Sequence, residues 1–589
     1  MSEIKKLKVT INGILVEVPQ GSTILDAAVL AGVRIPTLCY LRSINAIGSC
    51  RMCLCEVKGA RAWCAACVHP VEENRDGSPM EVLTNTPALI ESRKKTLELI
   101  LSNHRADCLS CSRSTSCELQ DLCFEYGVDQ YKYRNSSLAP DIDDSAIHLV
   151  RDNSKCILCR RCVAVCRENQ YVGVIGSNDR GYDTHISSPF DAPLADTSCI
   201  HCGQCITVCP TGALSERDDT ELVWAAINDP SKHVVVAPAP SVRVQLGECF
   251  GLPIGTNVDG KMIAALRRLG FDKVFDVDTA ADFTIMEEGT ELVNRLKNGG
   301  KLPMITSCSP GWVKFCEIYY PEFLGNLSTC KSPQGMFGAI AKSYYAEKAG
   351  IAHEDIFVVS IMPCTAKKFE AQRPELGRNG IPDIDVSLTT REFAQMIKRS
   401  GIEFNSLPDE KADPVFGIAS GAGHIFGATG GVMEAALRTV YEVVTGKELE
   451  KIEFEEVRGL KDIKEAEYDM GEIKVRAAVT SGTTNAAKLL DMVKSGEKDY
   501  TFIEVMCCPG GCVNGGGQPY QPGYVRNNRD LRAERANALY ALDGSLELRK
   551  SHDNPNLQEI YQNYLGEPNG HKAHELLHTS FEKKDIYTT

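Results

Sequence analysis

Two stretches of this chain repeat one cysteine spacing, Cys156-x2-Cys159-x2-Cys162-x3-Cys166 and Cys199-x2-Cys202-x2-Cys205-x3-Cys209-Pro210. Thiols this dense constrain the backbone to wrap something other than apolar side chains. The spacing is that of [4Fe–4S] cubane ligands, and in paired runs the fourth cysteine of each serves the other cluster. One cluster therefore takes Cys156, Cys159, Cys162 and Cys209, and the other Cys199, Cys202, Cys205 and Cys166. Residues 141–220 are predicted to be a domain built around this pair.

The chain has 26 cysteines in 589 residues, clustered locally in a sequence without a secretory start, which points to metal rather than disulfides. Soft thiolates select zinc, copper(I) or iron–sulfur clusters. Lys+Arg of 64 against Asp+Glu of 78 gives a net charge of -14, and no basic stripe interrupts it, which argues against nucleic acid and anionic membranes as partners. Basic electron carriers or basic faces of partner subunits fit that charge. No run approaches the length of a membrane span, and a soluble, cytoplasmic protein is expected.

Residues 1–82 open with alternating runs Leu7–Ile11 and Ile14–Val18 about Asn12-Gly13, a hairpin signal. A helix is expected from near Ser22, followed by Cys39, Cys50, Cys53 and Cys67. One C-x2-C pair with two outlying cysteines is close to plant-type [2Fe–2S] spacing; a zinc ribbon is the alternative, and Cys55 and Cys64 are nearby competitors. In residues 83–140 a helix over Ala88–Leu101 leads into His104, Cys108, Cys111 and Cys117. Taken alone, this set fits zinc as well as a cluster. Cys123 falls outside the spacing and reads as structural.

From residue 221 to 589 cysteine thins out and apolar runs alternate with helical patterns, predicting helix-covered parallel sheets. Cys308, Cys364 and Cys508 each follow a short apolar run, as expected for strands that deliver thiols to one crevice at their carboxyl ends. His233–Ser241 and Val475–Ser481 read as two more strands whose carboxyl ends wall that crevice. Gly430-Gly431 and Gly515–Gly517 would allow backbone to approach a bulky cofactor.

The segments Thr306-Ser-Cys-Ser-Pro-Gly-Trp312, Met362-Pro-Cys-Thr-Ala-Lys367 and Glu504-Val-Met-Cys-Cys-Pro-Gly-Gly-Cys512 resemble the three signature motifs of the iron-only, or [FeFe], hydrogenases. The resemblance covers nearly the whole chain. It implies a β-grasp [2Fe–2S] domain, a small helical domain whose His104 group holds a [4Fe–4S] cluster, a ferredoxin-like domain with two more, and an α/β domain carrying the H-cluster. That cofactor is a [4Fe–4S] cube joined through one cysteine sulfur to a diiron unit with carbonyl, cyanide and dithiolate ligands. By resemblance, Cys364, Cys508 and Cys512 hold the cube, with Cys512 as the bridge, and Lys367 pairs with a cyanide. Ser241 and Ser332 would hydrogen-bond cyanides, while Met362 and Met506 pack near the dithiolate. Lys368 reads as the surface lysine of the pair.

The first motif departs from the family's Thr-Ser-Cys-Cys-Pro-x-Trp by carrying Cys308-Ser309. Strict register makes Cys308 the proton relay and leaves serine at the cube-ligand position. Thiolate is the better iron ligand, so the expectation is that Cys308 ligates and Ser309 relays. Glu288, Glu291 and Ser328 match the family's proton path, with Arg295 near its mouth; one turn apart, the two glutamates could equally be a solvated face.

The expected activity is reversible oxidation of H2 to protons and electrons. Iron–sulfur clusters would relay the electrons to or from ferredoxin or flavin- and NAD(P)-binding subunits. A complex-I-like electron-transfer subunit and a hydrogenase-like sensor or assembly protein are the alternatives.

Overall fold

Asn12 and Gly13 both take positive φ, 49° and 86°, the backbone of a tight turn whose twist matches paired strands. Strands Lys6–Ile11 and Ile14–Pro19 accordingly pair antiparallel, with Ile11 opposite Ile14. Met80–Leu83 adds in parallel to Lys6–Ile11, and Leu54–Val57 and Cys64–Ala65 complete a five-stranded sheet. Helix Ile24–Leu30 starts with a reciprocal cap: Asp26 N donates to Thr23 Oγ1 at 3.2 Å and Thr23 N donates to Asp26 Oδ2 at 2.9 Å. Ile24, Ala27 and Ala28 bury against Val9, Ile11 and Val82 of the sheet. This computed structural model describes residues 5–129, 132–133, 141–449, 451–471 and 473–587. The domain boundary expected at residue 140 lies outside them.

Helix Pro87–Ser102 carries the buried Arg93, which donates to Met52 O at 3.0 Å and Leu54 O at 2.9 Å and so ties the helix to the Cys50–Cys53 loop. The next domain has strands Ile142–Asp143, Leu149–Asp152 and Leu214–Glu216 in one antiparallel sheet. Its short helices Arg161–Ala164 and Gln204–Val208 each follow a residue in left-handed conformation, Arg160 and Gly203. The two cysteine repeats thus fold alike.

The rest of the chain builds two four-stranded sheets. In one, Lys273–Val274, His233–Pro238, Ile356–Met362 and Val386–Thr389 run parallel in that order. In the other, Met304–Ile305, Phe502–Met506 and Ile473–Ser481 are parallel, and Ile463–Met470 adds antiparallel at the edge. The Val/Ile-rich runs are buried on both faces, as parallel strands between helix layers must be. Helix Val277–Asn298 joins the two cores: Phe283 packs into one and Ile285 into the other. Four strand ends, at Pro238, Ile305, Met362 and Met506, lead into Ser241, Cys308, Cys364 and Cys508. Near the carboxyl terminus, helix Leu531–Ser545 is fastened to the core by buried ion pairs, Arg535 to Glu248 at 2.6 Å and Asp543 to Arg438 at 2.8 Å. Among the described residues, no helix is long and apolar enough to cross a membrane.

Candidate active site

Each cysteine group of the amino-terminal half converges. Cys53 and Cys67 thiols lie 3.4 Å apart, and Cys39 is in hydrogen-bonding reach of Cys50 and Cys67. Cys55 and Cys64 oppose each other across adjacent strands with sulfurs 3.4 Å apart, a pairing of their own. His104, Cys108, Cys111 and Cys117 line one small cavity. Burial lowers the His104 imidazole to about 4, and its Nδ1 has no partner; a neutral imidazole with a free nitrogen is ready to ligate. A side chain on Gly212 would meet Cys111 Sγ at 2.3 Å, so glycine keeps that thiol's place open. Cys123 packs instead with Leu97 and Leu122.

In the paired-repeat domain, Cys156, Cys159, Cys162 and Cys209 line one cavity, and Cys166, Cys199, Cys202 and Cys205 line another. The two groupings are the crossed sets. Burial pushes the Cys156 and Cys166 thiols up to about 12. Thiolates in so dry a place need a bound cation to stay ionised.

The strand ends of the large domain enclose a cavity of about 80 Å³ lined by Ser241, Cys308, Ser309, Met362, Cys364, Lys367, Met506, Cys508 and Cys512. Those are nine of the residues expected there. Cys508 and Cys512 are the leading charges acting on Cys364, whereas the leading charge on Cys308 is Glu288. Lys367 Nζ donates to Ser332 Oγ at 2.7 Å, Glu370 Oε2 at 2.7 Å and Cys308 O at 3.3 Å. Ser332 caps helix Pro333–Ile340 and also donates to Glu370, at 2.9 Å. Ser241 Oγ accepts from Gln518 Nε2 at 3.1 Å.

Glu288 and Glu291 are buried, so the solvated-face reading is excluded. Burial and the Glu291 charge push Glu288 up to about 8, and its Oε2 has no partner. Ser328 donates to Glu291 Oε2 at 3.0 Å, and Arg295 Nε donates to Glu291 Oε1 at 3.1 Å. The four groups form a file from Glu288, the leading charge on the cavity thiol Cys308, to Arg295, with Ser328 touching both carboxylates.

Two expectations need correction. Lys368 is buried, not superficial, because its ammonium is neutralised by Asp219 at 2.6 Å and Glu392 at 2.8 Å. Gly430-Gly431 approaches protein backbone and no cofactor space: added side chains would meet Val457 O at 2.0 Å and Ile425 O at 1.8 Å. Three contributors escaped the sequence reading. Gln334 bridges Ser360, Ser387 and Glu370 below Lys367. Cys507 lines the cavity beside Cys508. Glu370 is the carboxylate partner of Lys367; its i,i+3 spacing from Lys367 in one short helix was the available signal.

Family comparison agrees with this geometry. Residues 232–516 match the model of the iron only hydrogenase large subunit, C-terminal domain, and residues 529–584 that of the iron hydrogenase small subunit. The amino-terminal half matches a 2Fe-2S cluster binding domain over 5–86, an NADH-ubiquinone oxidoreductase-G iron-sulfur binding region over 93–131 and a 4Fe-4S dicluster domain over 155–213. The chain is 48% identical to the NADP-reducing hydrogenase subunit HndD of Solidesulfovibrio fructosivorans, over 98% of this chain and 99% of that one. It is 44% identical to iron hydrogenase 1 of Clostridium pasteurianum, over 98% and 100%. The chain belongs to the iron-only, or [FeFe], hydrogenases. A solved apo [FeFe]-hydrogenase HydA1 from Chlamydomonas reinhardtii superimposes with a TM-score of 0.55 and 43% identity, covering 62% of this chain and 99% of that one.

The residues present fit the hydrogenase cofactor. Cys364, Cys508 and Cys512 are among the cysteines that line this apolar cavity, Lys367 lines it too, and Glu288, with an unpartnered buried carboxyl oxygen, is the leading charge on the lining thiol Cys308. A complex-I-like subunit without hydrogen chemistry would lack the 232–516 match.

Proposed function

We propose that this hydrogenase interconverts H2 with two protons and two electrons at the strand-end cavity and passes the electrons through its own clusters to a flavin- and NAD(P)-binding partner or to ferredoxin. The reading is carried by the cavity of Cys364, Cys508, Cys512 and Lys367 with the Glu288–Ser328–Glu291–Arg295 file leading from it. When bound there, the H-cluster supplies the metal site at which H2 is held and split.

In this reading Cys364, Cys508 and Cys512 are cube ligands, with Cys512 at the diiron side. Lys367 holds a positive charge against an anionic ligand, with Glu370 and Ser332 fixing its reach. Met362 and Met506 keep the cavity apolar and exclude water. Glu288, neutral over much of the physiological range because burial raises its carboxyl, takes and gives the proton, and Ser328 hands it to Glu291.

The clusters proposed are one [2Fe–2S] on Cys39, Cys50, Cys53 and Cys67, one [4Fe–4S] on the His104 group, and two on the crossed ferredoxin sets. The ferredoxin-like domain presses on the catalytic core at Gly203 and Gly516: a side chain on Gly516 would meet Cys202 O at 2.3 Å. In this reading electrons leave the cavity across that contact. The NADP-reducing relative motivates the nicotinamide partner. Reconstituting the matured chain with either acceptor under H2 tests it; reduction of neither, while a viologen dye is reduced, would set this partner assignment aside.

A further inference from the structure

The departure in the first motif leaves the cube one thiolate short. A [4Fe–4S] cluster takes four protein ligands, and the large domain offers Cys364, Cys508 and Cys512 with Ser309 where the family carries a fourth cysteine. Four facts locate the missing thiol. The Ser309 hydroxyl is already engaged, accepting from Cys507 N at 3.1 Å. Cys507 Sγ lies in hydrogen-bonding reach of the Cys508 thiol on one side and of Cys202 on the other. A side chain on Gly311, in the first turn of helix Pro310–Tyr319, would meet Cys507 Sγ at 2.7 Å, so glycine keeps that sulfur's space clear. The Cys308 thiol, by contrast, has Glu288 as the leading charge acting on it, ahead of Cys512.

Resting on the hydrogenase reading above, we propose that Cys507 is the fourth cube ligand, which leaves Cys308, also on the cavity wall, in the proton-relay place that strict register with the family motif gives it. The thiol absent at 309 is supplied from the adjoining strand end, one backbone hydrogen bond away. Softness favours the exchange, since thiolate binds cluster iron far better than a serine hydroxyl. This replaces the expectation that Cys308 ligates and Ser309 relays. A buried cysteine is ordinarily a small apolar side chain. Cys507 differs because both thiols it touches belong to cluster-ligand sets, and it stands between the cube and the ferredoxin cluster on Cys202.

The test uses the full chain, unloaded and matured, with iron content and infrared spectra as readouts. Wild-type protein with no carbonyl and cyanide bands after maturation would refute the hydrogenase reading itself. Given wild-type bands, Cys507→Ala is expected to lose about 4 iron atoms per chain before maturation and to show no bands after it. Cys507→Ala combined with Ser309→Cys, which restores the family's common arrangement, is expected to regain both, which also separates ligand loss from misfolding. Cys308→Ala should keep iron and bands while H2 turnover falls at least a hundredfold. Full iron and bands in Cys507→Ala, failure of Ser309→Cys to rescue it, or loss of the bands in Cys308→Ala would each overturn the assignment.

Discussion

Glu288→Gln separates proton traffic from architecture. The native carboxyl is raised from 4.5 to about 8, with burial as the first cause and Glu291 as the second. A raised carboxyl pKa means that the folded chain holds its proton more tightly than the unfolded one. Stability therefore falls as pH climbs through that window, by about 1.4 kcal/mol per pH unit. By pH 7 the accumulated cost is about 3 kcal/mol. Glutamine keeps the shape and never ionises, so the variant should gain on the wild type by that order at pH 7 and by nothing below about pH 4.5. Thermal melts of the unloaded proteins at several pH values read this difference. In the matured proteins the carbonyl and cyanide bands should be unchanged, while H2 evolution and uptake fall by about 10²- to 10⁴-fold, the usual worth of a positioned acid–base group. Turnover within a few-fold of wild type, or a stability gain independent of pH, would refute the relay.

The matured chain should carry about 20 iron atoms, from one [2Fe–2S], four [4Fe–4S] including the cube, and the diiron unit, and the unmatured chain about 18; zinc at the His104 group would break the wire. Gly516→Val should strip dye reduction while sparing H2/D2O exchange, because its side chain would push on Cys202 O, 2.3 Å from the ideal Cβ, and so disturb electron exit but not proton chemistry; equal loss of both would contradict that route. Arg438→Met should lower stability by about 3 kcal/mol, since it removes the fully buried cation shared by Glu434 and Asp543 and leaves each with a single, less buried arginine, Arg458 at 2.6 Å and Arg549 at 2.7 Å, and an unchanged melting temperature would contradict this.

Much of the molecule is written in short spacings. The hairpin about Asn12-Gly13 and the helix capped by Thr23 follow from local turn chemistry and fold as read, and the cysteines of the two crossed sets, expected from ligand spacing, line two separate cavities. Strands ending at thiols were legible because buried parallel runs are continuous and apolar. Contacts between distant segments were not. That Lys368 is neutralised by Asp219, 149 residues away, is invisible to composition. So is the approach of Cys507 to Ser309, 198 residues apart, which only the meeting of two strand ends creates. The Gly430-Gly431 pair misled because tight backbone packing and cofactor clearance leave the same residue in a sequence.

The most direct test of the account is the infrared spectrum of the full chain matured with a diiron unit, recorded under argon and then under H2. Terminal carbonyl and cyanide bands that shift on H2 addition, together with H2-dependent bleaching of the iron–sulfur absorption, are the predicted result. A chain with its amino-terminal clusters fully loaded that shows neither those bands nor H2-dependent reduction would contradict it.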